Sequence, residues 1–177
     1  VANAEEARAL ADGNPLSFLH VSRAEIDLPQ GTNPYSDAVY ARAAQKFLAV
    51  KSNAPLVVEE APSIYVYRLR MGSHVQTGVA ASYSVDEYDA GIIKKHEHTR
   101  PDKEDDRTRH ILELRAQTGP VFLTYKASPA VDAVVERTAA GRPLFDLTAP
   151  DGVQHTLWRV DPSGQRDLFA AFAAIPA

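Results

Sequence analysis

Residues 92–111, IIKKHEHTRPDKEDDRTRHI, form a dense group of ionisable side chains. Within these twenty positions there are six lysines or arginines, five acidic residues and three histidines. Such a mixture is typical of three structures: a metal centre, a phosphate-binding site, or an exposed helix start that salt bridges hold together. The spacing of the residues and the elements around them distinguish the three.

A metal centre is the least favoured of these structures. In an extended segment, His96 and His98 point to one face and Glu97 points to the other. The spacing is not that of a His-Glu-x-x-His motif, and no third ligand lies nearby in the sequence. Neighbouring lysines and arginines would also repel a divalent cation. We therefore assign no metal ligands here.

A phosphate-binding site has more support. Pro101 is suited to the first turn of a helix, where free backbone N–H groups and the positive end of the helix dipole attract anions. One stripe of that helix contains Lys103, Arg107, His110, Ile111 and Leu114. Its apolar members are expected to face the core, which places Lys103 and Arg107 at the rim. We predict that His96 and His98 converge there with these two cations to bind phosphate.

The same stretch also fits a structural role. Four acids, Asp102, Glu104, Asp105 and Asp106, lie in the first turns of the predicted helix. Acids there stabilise the helix dipole, pair with nearby basic residues, and oppose a bound anion. In this interpretation the charges only fix a loop, and the residues alone favour it. If there is chemistry, Glu97 is the candidate general base, because surrounding cations keep a carboxylate ionised at neutral pH.

The composition excludes several classes of function. The chain has 177 residues, of which 45% are apolar and 24% charged, enough for a sizeable globular core. A net charge of −4 provides no general attraction to nucleic acids or anionic membranes. The absence of cysteine rules out disulfides, thiolate zinc sites and cysteine nucleophiles. No apolar run is long enough to span a membrane. We expect a cytoplasmic protein with a small-molecule ligand.

Hydrophobic periodicity and turn signals predict an α+β fold with a mixed, largely antiparallel sheet packed with about four helices. Strands are predicted near residues 16–22, 64–70, 75–85, 121–126, 144–148 and 153–160, and helices near 37–51, 102–118, 129–140 and 163–174. Gly91–Ile93 is expected to lead into the charged stretch as a further strand. Two hairpins are expected, at Met71–His74 and at Asp151–Gly152.

The last predicted helix carries an apolar stripe of Leu168, Phe169, Phe172 and Ile175. Burying one such side chain contributes roughly 1.5–3 kcal/mol, so the stripe must be covered. Either the helix folds back on this chain's own sheet, or a further part of the protein covers it. In the second case this chain should self-associate.

Several segments together resemble a known family. In chain order, NPLSFLHV, EIDLP, IYVYRLR, GVAASYSVDEYDAGII, KKHEHTRPDKEDDR and GPVFLTYK are similar to domain-of-unknown-function family 1015 of bacteria and archaea. The resemblance spans nearly the whole chain. Its most specific part is a His-Glu-x-Thr…Lys-x-Asp-Arg signature, matched here by His96, Glu97, Thr99, Lys103, Asp106 and Arg107. One extra residue between Lys103 and Arg107, and the basic Arg100, depart from the family pattern.

The resemblance implies that residues 1–177 are a single domain or the N-terminal portion of a longer protein, truncated at both ends. Family members resemble ParB/sulfiredoxin-like proteins through an Asp-Gly-His-His-Arg motif, expected beyond residue 177 in a C-terminal half that would complete the site. That group binds nucleotides and includes small-molecule kinases. The implied function is binding of a nucleotide or another phosphorylated small molecule, with Thr99 among the phosphate-binding residues. Phosphoryl transfer with Mg²⁺ would belong to the full-length protein. The alternative is a non-catalytic binding or regulatory module.

Overall fold

A computed structural model describes residues 3–96 and 99–176. In this part of the chain there are seven α-helices, one 3₁₀ helix and four β-strands. Their order is α1 (Ala4–Ala11), α2 (Leu19–Ser22), the 3₁₀ helix (Ala24–Asp27), α3 (Asp37–Asn53), β1 (Tyr65–Met71), β2 (His74–Ala80), α4 (Val85–Asp89), α5 (Pro101–Leu114), α6 (Pro129–Ala139), β3 (Phe145–Thr148), β4 (Gln154–Arg159) and α7 (Pro162–Ala173). The predicted α+β class is confirmed.

The chain divides into two compact units. The first comprises Val1–Val58 with His96–Phe122, and the second comprises Glu59–Lys95 with Leu123–Ala177. The expectation that residues 1–177 are one domain, or the N-terminal portion of a longer protein, stays a prediction.

The first unit is helical and is organised around α3. This helix buries Val39, Ala43 and Val50, whose spacing of four and seven residues places them on one face. They form an apolar cluster with Val21 of α2 and Leu114 of α5, among others. Helix α5 is thereby held against α3 along its second half, which determines where its charged first turns lie.

The second unit contains a four-stranded sheet with the order β2-β1-β4-β3, and all its pairings are antiparallel. Its core is built from Val66 and Trp158 of the two central strands, Val131 and Val134 of α6, and Leu168 of α7, among others. These strand residues are paired across β1 and β4 and share one face of the sheet. Helices α6 and α7 cover that face.

Both predicted hairpins are present. His74 pairs with Met71 at the β1–β2 turn, where Gly72 has a φ of +57°. At the β3–β4 turn, Gly152 has a φ of +82°, and the Asp151 carboxylate accepts a hydrogen bond from the Val153 N–H at 3.0 Å. Glycine tolerates this left-handed conformation, and aspartate supports the turn through its side chain. Local turn chemistry was therefore a reliable signal.

The predicted strand at 16–22 is wrong. Residues 19–22 form the single helical turn α2. The Asn14 side chain accepts the Leu16 N–H at 3.1 Å, and its carbonyl accepts the Ser17 N–H at 3.0 Å, so the chain turns before any strand can extend. A short apolar run fits a buried helical turn as well as a strand.

Three further strand predictions also fail in whole or in part. Residues 121–126 have no regular structure, and Val121 and Phe122 are each 75% exposed. Among residues 3–96 and 99–176, no strand pairs with this segment. Strand β2 ends at Ala80 instead of 85, since the Ser84 hydroxyl caps helix α4 by accepting the Glu87 N–H at 3.2 Å. Gly91, with a φ of +72°, forms a turn and does not begin a strand.

All four predicted longer helices are present, with two corrections. Helix α5 ends at Leu114 instead of 118, where Arg115 adopts the left-handed conformation with a φ of 51°. The other correction concerns α7. Leu168 is fully buried, and Phe172 and Ile175 pack against the core of the second unit. Phe169, in contrast, is 68% exposed, so its predicted burial is wrong. The closest packing of α7 is at Gly164, where an added Cβ would lie only 2.7 Å from the Val160 side chain. The helix thus folds back on the sheet of its own unit.

Candidate functional site

The charged stretch leads into α5, whose first helical residue is Pro101. Proline has a fixed φ and no N–H group, which suits this position. The Arg100 carbonyl accepts the N–H groups of Lys103 at 2.9 Å and Glu104 at 3.0 Å. Since these two amides are already bonded, the side chains of the first turns must provide most of any anion binding.

Two of the four acids in these turns have hydrogen-bond partners, one of them a cation. The Arg100 guanidinium donates two hydrogen bonds to Asp102, at 3.1 and 2.8 Å, in the forked geometry that arginine favours. Asp106 accepts a hydrogen bond from the Tyr40 hydroxyl at 2.6 Å. Glu104 and Asp105 are about 100° and 200° around the helix from Lys103, so they point to other sides. The charge of Asp102 is therefore offset by Arg100, whereas Asp106 keeps its charge on the side of α5 that carries Lys103.

The two basic residues of the predicted site lie on one side of α5. Lys103 and Arg107 are both exposed, one turn apart, and in line with the buried Leu114 further along the helix. The Lys103 ammonium donates to the Tyr35 hydroxyl at 2.6 Å. Hydrogen bonding to Tyr35 raises the pKa of Lys103, which keeps it cationic. Among the described residues, Arg107 has no hydrogen-bond acceptor and no ion pair. Both side chains are thus accessible to a ligand, and their role in binding one stays a prediction.

The other predicted residues precede the helix. His96 and Thr99 are exposed and belong to no helix or strand. Glu97 and His98 lie outside the described residues. The convergence of both histidines with the two cations therefore stays a prediction, as does the role of Glu97 as a base.

A row of polar contacts holds α5 to α3 and to the loop before it. Besides the bonds to Tyr35 and Tyr40, the Arg109 guanidinium donates to Asp37 at 2.6 Å and lies 4.2 Å from the centre of the Tyr40 ring. Burial of Tyr40, and secondarily its hydrogen bond to Asp106, raises its pKa to about 12. Lys103, Asp106 and Arg109 are three residues apart, so they share a face of α5. That spacing was visible in the sequence, but their partners were not.

A second polar cluster surrounds Asp27 in the first unit. One carboxylate oxygen is 2.9 Å from His20 Nδ1, and the other is 3.1 Å from Lys46 Nζ and 3.6 Å from Arg42 Nε. Burial pushes the pKa of Asp27 upward, but hydrogen bonds and positive charge from Lys46 and His20 outweigh it and hold the pKa below its ordinary value. The cluster ties α2, the 3₁₀ helix and α3 together, and gives His20 a structural role.

Within residues 3–96 and 99–176, no three histidine, aspartate or glutamate side chains are grouped so that they could hold a metal ion. In the same ranges, no helix combines the length and the hydropathy that crossing a bilayer requires.

Comparison with known proteins identifies the family. The family model described as "Protein of unknown function (DUF1015)" matches residues 1–177. The chain belongs to this family. No curated protein and no solved structure matches it. Membership supports the assignment made from the His96–Arg107 signature, whereas the relation to ParB/sulfiredoxin-like proteins stays a prediction.

Proposed function

We propose that this protein binds a nucleotide or another phosphorylated small molecule at the rim formed by residues 96–107. One observation carries the proposal: Lys103 and Arg107 are exposed on one side of α5, while Asp102 and Asp106 are paired with Arg100 and Tyr40. Two cations therefore lie on one side of the helix, and the charge of Asp102 is offset by Arg100, while Asp106 keeps its charge. Oxyanions bind to such pairs of cations through charge-assisted hydrogen bonds.

Each side chain has a distinct part in this proposal. Arg107, which has no acceptor among the described residues, offers a planar fork for two phosphate oxygens. Lys103 uses one N–H for Tyr35 and keeps two for the ligand. The Thr99 hydroxyl and the His96 imidazole come from the exposed segment before the helix and complete the set, with His98. Phosphoryl transfer, with Glu97 as the base, is an extension that rests on the sequence alone.

A second candidate function is a non-catalytic binding or regulatory module. The contacts from Lys103 to Tyr35 and from Arg109 to Asp37 favour it, because they already use charges of α5 to fix the loop before α3. In that case Arg107 is only a solvated surface charge. Ligand binding separates the two functions, since only the first requires Arg107.

The experiment is isothermal titration calorimetry with ADP, ATP, CTP and pyrophosphate, on the wild type and on Arg107→Ala. We expect binding by the wild type and a loss of about 10- to 100-fold in affinity in the variant, since hydrogen bonds to charged groups contribute about 1.5–3 kcal/mol. Lys51→Ala is the matched control. It removes a cation from the last turn of α3, about 20 Å along the helix from Asp37. No binding of any compound, or equal losses in both variants, would favour the module.

A further inference from the structure

Tyr35 is a residue of the first unit that the phosphate proposal uses only as a partner of Lys103. It precedes α3 in a loop fixed by Asn33, whose side chain accepts the Tyr35 N–H and whose carbonyl accepts the Ser36 N–H, both at 3.0 Å. The side chain is 44% exposed even though its hydroxyl is bonded. A tyrosine with a fixed backbone and an open ring presents a preorganised aromatic surface.

The position of this ring relative to the cations is also fixed. Lys103 Nζ lies 2.6 Å from the Tyr35 hydroxyl and 5.2 Å from the centre of its ring. The neighbouring contacts Asp37–Arg109 and Tyr40–Asp106, each 2.6 Å long, hold the start of α3 against the same face of α5. The ring and the ammonium group therefore stay side by side without a ligand.

We infer that Tyr35 makes the site selective for ligands with a flat aromatic ring close to the phosphate, which means nucleotides as opposed to sugar phosphates or inorganic phosphates. This inference rests on the proposed function. The exposed part of the ring can stack on a base, and such stacking tolerates any base because each has a π face. The Tyr35 oxygen accepts a hydrogen bond from the Lys103 ammonium, so its own O–H is free to donate to a phosphate oxygen. Lys103 then links the two halves of the ligand.

The test compares ADP, ribose 5-phosphate and pyrophosphate by calorimetry on the wild type, Tyr35→Phe and Tyr35→Leu. We expect the wild type to bind ADP at least about 10-fold more tightly than the other two compounds, in line with base stacking on an aromatic side chain. Tyr35→Phe keeps the ring and should keep this ratio. Tyr35→Leu should reduce the ratio to about one, while its affinity for pyrophosphate stays equal to that of Tyr35→Phe.

Tyr88→Leu is the matched control, because Tyr88 also has a lysine near its ring, with Lys95 Nζ 4.6 Å from the centre, but belongs to the second unit. It should leave all three affinities unchanged. Equal binding of ADP and pyrophosphate by the wild type, or an unchanged ratio in Tyr35→Leu, would overturn the inference and leave the phosphate proposal standing. Absence of binding by all three compounds would overturn both.

Discussion

The two units of the chain are stabilised in different ways. In the second unit, apolar side chains meet between one sheet face and two helices, and Val66, Val131, Val160 and Leu168 are fully buried. In the first unit, α3 and α5 share a smaller set of apolar contacts and are joined by polar bonds through Tyr35, Tyr40 and Asp37. Apolar packing is insensitive to pH, whereas the strength of polar contacts between helices depends on protonation. Such polar contacts also leave charged groups where a ligand can reach them.

This difference explains why the candidate site lies in the first unit. A helix that is held partly by charged and hydroxyl groups keeps ionisable residues at a defined distance from each other. Lys103 and Arg107 remain exposed because Leu114, further along α5, provides the apolar contact that anchors the helix. If the polar contacts of the first unit contributed as little to stability as exposed residues do in the second, this difference between the units would not exist.

The largest expected effect is in the second unit. Leu168→Ala should lower the free energy of unfolding by about 2–5 kcal/mol, because Leu168 is fully buried and its truncation leaves a cavity. Urea denaturation followed by the fluorescence of Trp158, the single tryptophan, measures this. The neighbouring Phe169→Ala is the control and should change stability by no more than about 0.5 kcal/mol, since Phe169 is mostly exposed. A larger effect of Phe169→Ala would contradict the packing of α7.

The next effect concerns the Asp27 cluster. Asp27→Asn should cost about 1–3 kcal/mol at pH 7, because a carboxylate that is 13% exposed loses its charge-assisted bonds to His20 and Lys46. The pKa of Asp27 is lower in the folded protein than in the unfolded chain. Its contribution is therefore present above the unfolded pKa of about 3.9 and is lost as the pH falls through the folded pKa.

Urea denaturation of the wild type and Asp27→Asn at pH 7, 5, 4 and 3, followed by circular dichroism, tests this. The difference between the two proteins should shrink as the pH falls below 4. A difference that does not depend on pH would mean that Asp27 stabilises the first unit by packing alone, which would remove the contrast with the second unit.

The smallest effect concerns the hydrogen bond between α3 and α5. Tyr40→Phe should cost about 1 kcal/mol at pH 7, because it removes the hydroxyl that donates to Asp106. The pKa of Tyr40 is raised to about 12 in the folded protein. This contribution is therefore complete below the unfolded pKa of about 10 and is lost as the pH rises through about 12.

Spectrophotometric titration of the tyrosines at 295 nm gives an independent readout. The wild type should contain one transition near pH 12 that Tyr40→Phe lacks, provided that circular dichroism shows the fold intact at that pH. Tyr67→Phe is the control, as Tyr67 lies on the partly exposed side of β1. If Tyr67→Phe also lacked the transition near pH 12, that transition would belong to Tyr67 and the prediction for Tyr40 would be wrong.

The sequence by itself determined the features that depend on local chemistry and periodicity. The hairpins at Gly72 and Gly152 follow from turn residues, and the start of α5 follows from Pro101, because each of these residues restricts its own backbone. The helices α3, α6 and α7 follow from apolar spacing. The position of Lys103 and Arg107 at the rim of the core follows from the helical period that relates them to Leu114.

Only the tertiary structure decided which neighbours these residues meet. Val121 and Phe122 have strand-forming side chains but no strand beside them, and a strand requires a partner for its backbone. Phe169 lies on the apolar stripe of α7, yet Gly164 and Leu168 determine which side packs closely. Tyr35 and Tyr40 are more than sixty residues from the partners that they contact on α5. Periodicity describes a face of one element, whereas a hydrogen bond between two elements depends on how their faces dock.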